Sequence, residues 1–268
     1  MSQVSDCTLA ELMIVACSEA WRGDGEVLAS GITTIPRLGA SLAKLTHSIE
    51  LLMTDSETFL VSEPVPLGPR GDYVPKYEGY MSFDRVFECA WGGKRHAMIG
   101  PTQIDRFGQA NLSCVGADYA KPKSMVLGVR GLPGNNINHA NSYFVPNHGL
   151  RVFVANEVDM VSGPGYNPAR FEPGMKCDFI DLHFIVTDLC VMDFAGPNHA
   201  IRVKSLHPGI NFEQVQAATG FPLLKAEPLP ITPMPNAEQL SIIHRLDPHN
   251  LRATVIKGNP LAIRSEAT

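Results

Sequence analysis

Glu26-Val27-Leu28-Ala29-Ser30-Gly31, followed by Pro36 to Leu45 and then by Ile49-Glu50-Leu51-Leu52-Met53, is the stretch that decides the fold. The first run is short, apolar and closed by a glycine, which reads as a strand. Pro36 suits the opening turn of a helix, and Leu38, Leu42 and Leu45 then share one helical face. Ile49 to Met53 is again apolar and of strand length. Strand, helix, strand with short apolar strands predicts an α/β fold, a mainly parallel sheet covered by helices. Such sheets bind ligands at the carboxyl ends of their strands, so Asp55, Ser56 and Glu57 fall where chemistry is expected.

Working outward, Thr8 and Glu11 form a capping-box pattern ahead of Leu9, Leu12, Met13, Ala16 and Ala20, which predicts a helix over about Thr8 to Trp21. Arg95-His96-Ala97-Met98-Ile99 and Arg151-Val152-Phe153-Val154 read as further strands. His183 to Asp188 and Val191 to Phe194 read as a hairpin whose turn lacks glycine. Asn211 with Gln214 opens a short helix that Gly220 closes, and Glu227 to Pro235 holds four prolines that favour extended backbone. The whole chain, 1–268, is taken as a single domain with a proline-rich, extended C-terminal arm from about residue 222.

Composition narrows the function classes. With 44% hydrophobic residues in 268, the chain can bury a sizeable core. A net charge of -5 offers no basic footprint for nucleic acid or an anionic membrane. Met1-Ser2-Gln3-Val4-Ser5-Asp6 lacks the basic start and apolar core of a signal peptide, and no apolar run approaches the roughly 20 residues that span a bilayer. A soluble, cytoplasmic protein is expected. The six cysteines show no Cys-x-x-Cys spacing and read as free thiols, while no pair of the nine histidines has metalloprotease spacing, so no metal site is expected.

Two segments have the composition of a binding loop. In Gly128-Val129-Arg130-Gly131-Leu132-Pro133-Gly134-Asn135-Asn136-Ile137-Asn138-His139, the glycines expose backbone amides and Arg130 adds a fixed positive charge. Gly131, Gly134, Asn135, Asn136, Asn138 and His139 are therefore candidate ligand contacts, although a tight turn with backbone-bonded Asn side chains would look the same. Gln103, Asp105, Asn111 and Ser113 read first as holders of a turn, with Gln103 also kept as a ligand contact. Val161-Ser162-Gly163-Pro164-Gly165-Tyr166 is another backbone-exposing turn.

The segment Ile99-Gly100-Pro101-Thr102-Gln103-Ile104-Asp105-Arg106-Phe107-Gly108-Gln109-Ala110-Asn111, the glycine-rich loop, the Ser-Gly-Pro-Gly-Tyr turn and Leu206-His207-Pro208-Gly209 together resemble the β subunits of class I coenzyme A transferases, in the glutaconate CoA-transferase branch. Thr54-Asp55-Ser56-Glu57, Gly128-Val129-Arg130-Gly131, Asn138-His139 and Gly196-Pro197-Asn198-His199 narrow the resemblance to the β subunits of steroid ring-cleaving hydrolases. The resemblance implies the CoA-transferase fold, which is Rossmann-like, and an α-subunit partner in a heterodimer or α2β2 heterotetramer. It also implies an acyl-CoA substrate and no cofactor beyond that thioester. In transferases a glutamate at this strand end attacks the acyl-CoA and carries CoA; an ungapped match puts Asp55 there, one methylene shorter and with Glu57 replacing the glycine, while a one-residue slip would put Ser56 there instead. The implied reaction is hydrolytic, retro-Claisen opening of a cyclic 3-oxo-enoyl-CoA from cholesterol. The partner would supply the main acid/base, and this chain Arg130, the loop amides and the Asp55–Glu57 wall. A true CoA transferase and a non-catalytic scaffold subunit remain as alternatives. An obligate partner would need a sizeable apolar face.

Overall fold

The structure, a computed structural model, describes residues 7–55, 59–116, 118–175 and 178–263. Its centre is a seven-stranded sheet whose spatial order follows the chain. The strands are β1 (Leu28–Gly31), β2 (Arg95–Ile99), β3 (Ala140–Val145), β4 (Leu182–Thr187), β5 (Cys190–Asp193), β6 (Arg202–Leu206) and β7 (Leu224–Lys225). The first four are mutually parallel, β4-β5-β6 is an antiparallel meander, and β7 is parallel to β6. Strand residues alternate between two cores, as the pleat requires. Met98, Phe144, Val186 and Val191 point to one side, and Ala97, Ile99, Tyr143, Val145, Ile185 and Met192 to the other.

The first core lies under α1 (Leu9–Ser18) and α2 (Thr34–Leu45). The predicted capping box is present: the Glu11 amide donates to Thr8 Oγ1 at 3.4 Å, and Glu11 Oε2 accepts from the Thr8 amide at 2.8 Å. Gly31 lets α2 sit against the end of β1, since a Cβ there would lie 2.2 Å from the Pro36 carbonyl oxygen. The second face carries α4 (Leu132–Asn138), α5 (Phe212–Ala217) and loops, while α3 (Phe83–Trp91) packs beside α4.

Four expectations change. Ile49–Met53 joins the sheet only through a parallel bridge between Leu52 and Leu28, and Thr54–Asp55 then enters a small antiparallel sheet with Phe59–Val61 and Tyr77–Tyr80. Arg151–Val154 is a turn, because the Val152 and Phe153 amides both donate to the Gly149 carbonyl; a single bridge to Ile104 remains. Strand β3 was not anticipated, as Asn141 and Ser142 break its apolar run although both are buried. Beyond residue 222 the chain is more than an extended arm. Strand β7 comes first, Ile231 pairs with Leu206, and α6 (Ala237–Leu246) then buries Ile243 and Leu246 in the α1/α2 layer. The β4–β5 hairpin stands without glycine because Thr187 Oγ1 accepts from the Leu189 and Cys190 amides at 3.1 and 3.0 Å.

A buried charge cluster ties the C-terminal segment to α1. Glu11 Oε1 accepts from Arg252 at 2.9 Å and faces His244 at 2.7 Å, and Arg252 also bonds Asp247 at 3.0 Å. Burial alone would raise the Glu11 pKa, but its bonds to Thr8, His244 and Arg252 outweigh that and hold it below the usual value of 4.5.

Two measurements check this packing. Gly31→Ala should cost on the order of 1–3 kcal/mol by forcing α2 off β1, whereas Gly79→Ala, with open space around the added Cβ, should be nearly neutral in thermal unfolding. Glu11→Gln should cost about 3 kcal/mol at neutral pH, because it leaves Arg252 partly unpaired in the interior. Since the folded pKa of Glu11 is depressed, its contribution is fully present above about 4.5 and fades as pH falls through the folded value. The gap between wild type and variant should therefore shrink on acidification; a gap that stays constant would refute this role.

Candidate active site

The carboxyl ends of β1 and β2 lead into the segments that carry Asp55 and Gln103. The Ala29 amide donates to the Leu52 carbonyl and the Leu52 amide to the Val27 carbonyl, both at 2.9 Å, and this pairing delivers Asp55 to the carboxyl end of β1. Asp55 is buried, and Arg70 grips it with two hydrogen bonds of 2.7 and 2.9 Å. The bond to Asp55 raises the Arg70 pKa. Burial lowers that of Arg37, which donates to the Thr54 carbonyl at 3.3 Å and is coupled electrostatically to Asp55 and Arg70. A carboxylate with both oxygens on a guanidinium is a poor nucleophile, since attack would break the fork. Ser56 and Glu57 lie outside the described residues. Arg37 and Arg70 were missed in the sequence; Arg70 reaches Asp55 across 15 residues and no local motif announces it.

Beyond β2 the chain turns through a two-residue ladder of Gln103–Ile104 with Ala110–Asn111. Gln103 Oε1 accepts from Asn111 Nδ2 at 2.7 Å and from the Asp159 amide at 3.0 Å, while its Nε2 donates to Asp159 at 3.0 Å. The structure thus employs Gln103 as a scaffold. Asp105, whose pKa burial raises, accepts from the Phe107 and Gln109 amides and shapes the same turn.

The glycine-rich segment is fastened to this turn. The Val126 and Leu127 amides donate to the Ser113 and Leu112 carbonyls, which carries the chain to Gly128 at φ 78°. Arg130 follows at φ 52°, a left-handed conformation that costs a non-glycine residue on the order of 1 kcal/mol. Its side chain is exposed and forms no ion pair among the described residues. Gly131 caps α4, which then lies on the Ser162–Tyr166 turn: Leu132 and Asn136 pack so closely that a Cβ on Gly163 would sit 2.1 Å from Asn136 Oδ1.

Helix α4 also divides the candidate contacts. Arg130 and Gly131 precede it, Gly134 and Asn135 lie within it, and Asn138 and His139 stand at its far end, roughly 10 Å away at the helical rise. There they line a cavity of about 430 Å³ at the amino edge of the parallel strands, together with Asp24, Arg95, His96 and His183. His139 is 3% exposed, donates from Nδ1 to the Ala140 carbonyl at 2.9 Å, and is pulled down to about 4 by burial. The fold therefore separates Asn138 and His139 from the end of α4 that carries Arg130.

No protein-family model matches the chain. It is 41% identical over 254 residues to the cholesterol ring-cleaving hydrolase IpdB subunit of Mycobacterium tuberculosis, covering 94% of this chain and 99% of that one. The crystal structure of IpdAB from Rhodococcus jostii RHA1 superposes with a TM-score of 0.85 at 39% identity, over 94% of this chain and 99% of that chain. Glutaconate coenzyme A-transferase from Acidaminococcus fermentans shares the fold, with a TM-score of 0.75 at 22% identity over 93% and 98% of the two chains. Sequence and architecture agree, and the chain belongs to the IpdB subunit family of proteins with the CoA-transferase fold.

Proposed function

We propose that this chain is the β subunit of a heteromeric hydrolase that opens the ring of a cyclic 3-oxo-enoyl-CoA in steroid catabolism. The observation that carries the reading is Arg130, a left-handed, exposed arginine on a glycine-rich loop at the start of a helix. In a retro-Claisen opening, water adds to the ring ketone, the adjacent carbon–carbon bond breaks, and its electrons become an enolate conjugated with the thioester. A fixed cation with neighbouring amides stabilises that enolate where it forms. The α subunit supplies the base that activates water, and a proton quenches the enolate carbon to give a ring-opened acid. No cofactor is required; the coenzyme A thioester is the substrate. An acyl-CoA substrate suits a cytoplasmic enzyme, and no described helix is long and apolar enough to cross a membrane.

The Asp55–Arg70 fork weighs against the transferase alternative, because a covalent carrier needs a free carboxylate oxygen. An α partner is supported by an exposed aromatic surface. On α3, Phe83, Phe87 and Trp91 recur at every fourth residue with 58%, 51% and 68% exposure, and on the small sheet that precedes it Phe59 makes a tilted contact with Tyr77 and an edge-on one with Tyr80. A helix that turns its aromatic face to solvent marks an interface.

Arg130→Ala should lower kcat in the assembled complex by about 10²–10³-fold, with Arg130→Lys recovering part of it. An unchanged kcat would favour the scaffold alternative. Trp91→Glu with Phe87→Glu should weaken assembly by about 2–4 kcal/mol, seen as dissociation in analytical ultracentrifugation; full assembly would move the partner to another face.

A further inference from the structure

We infer that the cavity at the amino edge of the sheet is a binding site for a divalent transition-metal cation of the zinc class, held by Asp24, His96 and His183. These residues come from three separate elements: the loop after α1, strand β2 and strand β4. Each offers one ligand atom, and the three atoms lie within 4.8 Å of one another. Two imidazoles and a carboxylate form a donor set typical of zinc, in which three protein ligands leave a fourth position open.

The surroundings are arranged as such ligands require. His96 presents Nδ1 to Asp24 Oδ2 at 2.6 Å and Nε2 to Ser142 Oγ at 2.9 Å. When a cation takes Nδ1, its proton leaves and Nε2–H donates to Ser142, an outer-sphere partner that fixes the ring. His183 has Nε2 3.0 Å from Asp181 and Nδ1 3.4 Å from the Ala20 carbonyl, so a cation taking Nδ1 replaces that longer contact while Asp181 holds the ring. The 2.6 Å contact is shorter than the spacing of about 3.3 Å between ligands of a tetrahedral cation bonded at 2.0–2.1 Å, so Asp24 must withdraw slightly. It lies between Gly23 and Gly25, both at positive φ, where the backbone adjusts without a side-chain clash.

An independent observation comes from His139 on the same cavity. Its Nδ1 donates to the Ala140 carbonyl, which leaves Nε2 with a bare lone pair, and that atom is buried with no hydrogen-bond partner. A buried lone pair without a donor is costly, and a cation or its bound water would satisfy it. The site lies at the opposite edge of the sheet from Asp55, so its role is separate from the proposed hydrolysis. It would clip the Asp24 loop to β2 and β4.

The test is metal binding by the untagged α/β complex, stripped with chelator and reloaded with Zn²⁺ or Co²⁺ alone. The expected result is one additional metal per β chain, with the visible absorption of tetrahedral Co²⁺. It should be lost in His183→Asn and in Asp24→Asn, which keeps a hydrogen bond to His96, and retained in His249→Asn at a distant exposed histidine. Ser142→Ala should weaken affinity about 10–100-fold. No retained metal, or binding unaffected by Asp24→Asn and His183→Asn in a folded complex, would overturn the assignment.

Discussion

Gly163 and Asn136 cannot both carry bulk at their point of contact. The missing Cβ of Gly163 leaves room for the Asn136 side chain, so α4 rests on the Ser162–Tyr166 turn, and that seating fixes where α4 begins. Everything upstream follows. Gly131 is the cap, Arg130 lies in the left-handed region just before it, and Val126 and Leu127 bond the turn that follows β2. The position of one cation at the carboxyl edge is thus set by the smallest side chain of a neighbouring loop, and backbone strain at Arg130 is tolerated because the surroundings over-determine it.

The second constraint is electrostatic. A CoA-transferase fold that places a carboxylate at the end of the first crossover can use it as a carrier or immobilise it. Here Arg70 occupies both Asp55 oxygens and Arg37 lies close enough to couple with both. The proposed charge stabilisation at Arg130 is compatible with that arrangement in a way that covalent transfer through Asp55 is not.

Much of this was legible in the sequence wherever the determinant is local. The capping boxes of α1 and α5, the β1–α2 unit and the β4–β5 hairpin each depend on residues a few positions apart. Strand β3 was hidden because its buried residues include two polar ones: Asn141 Nδ2 donates to the Asn135 and His139 carbonyls, and Ser142 Oγ meets His96 of the neighbouring strand. Helix α6 does carry a capping box, Asn236 with Gln239, but it directly follows a proline-rich run that favours extended backbone. Arg70 with Asp55, and Asp24 with His96 and His183, are pairings at long range that no spacing rule encodes.

In the proposed reaction the assembled enzyme adds water to its substrate without ever carrying coenzyme A itself. Incubating the α/β complex with a steroid-derived cyclic 3-oxo-enoyl-CoA in oxygen-18 water, then weighing both product and protein by mass spectrometry, tests it directly. The expected result is one oxygen-18 in the new carboxylate of a ring-opened CoA thioester and an unmodified β chain. An unlabelled product, or coenzyme A attached at Asp55 or Glu57, would contradict it.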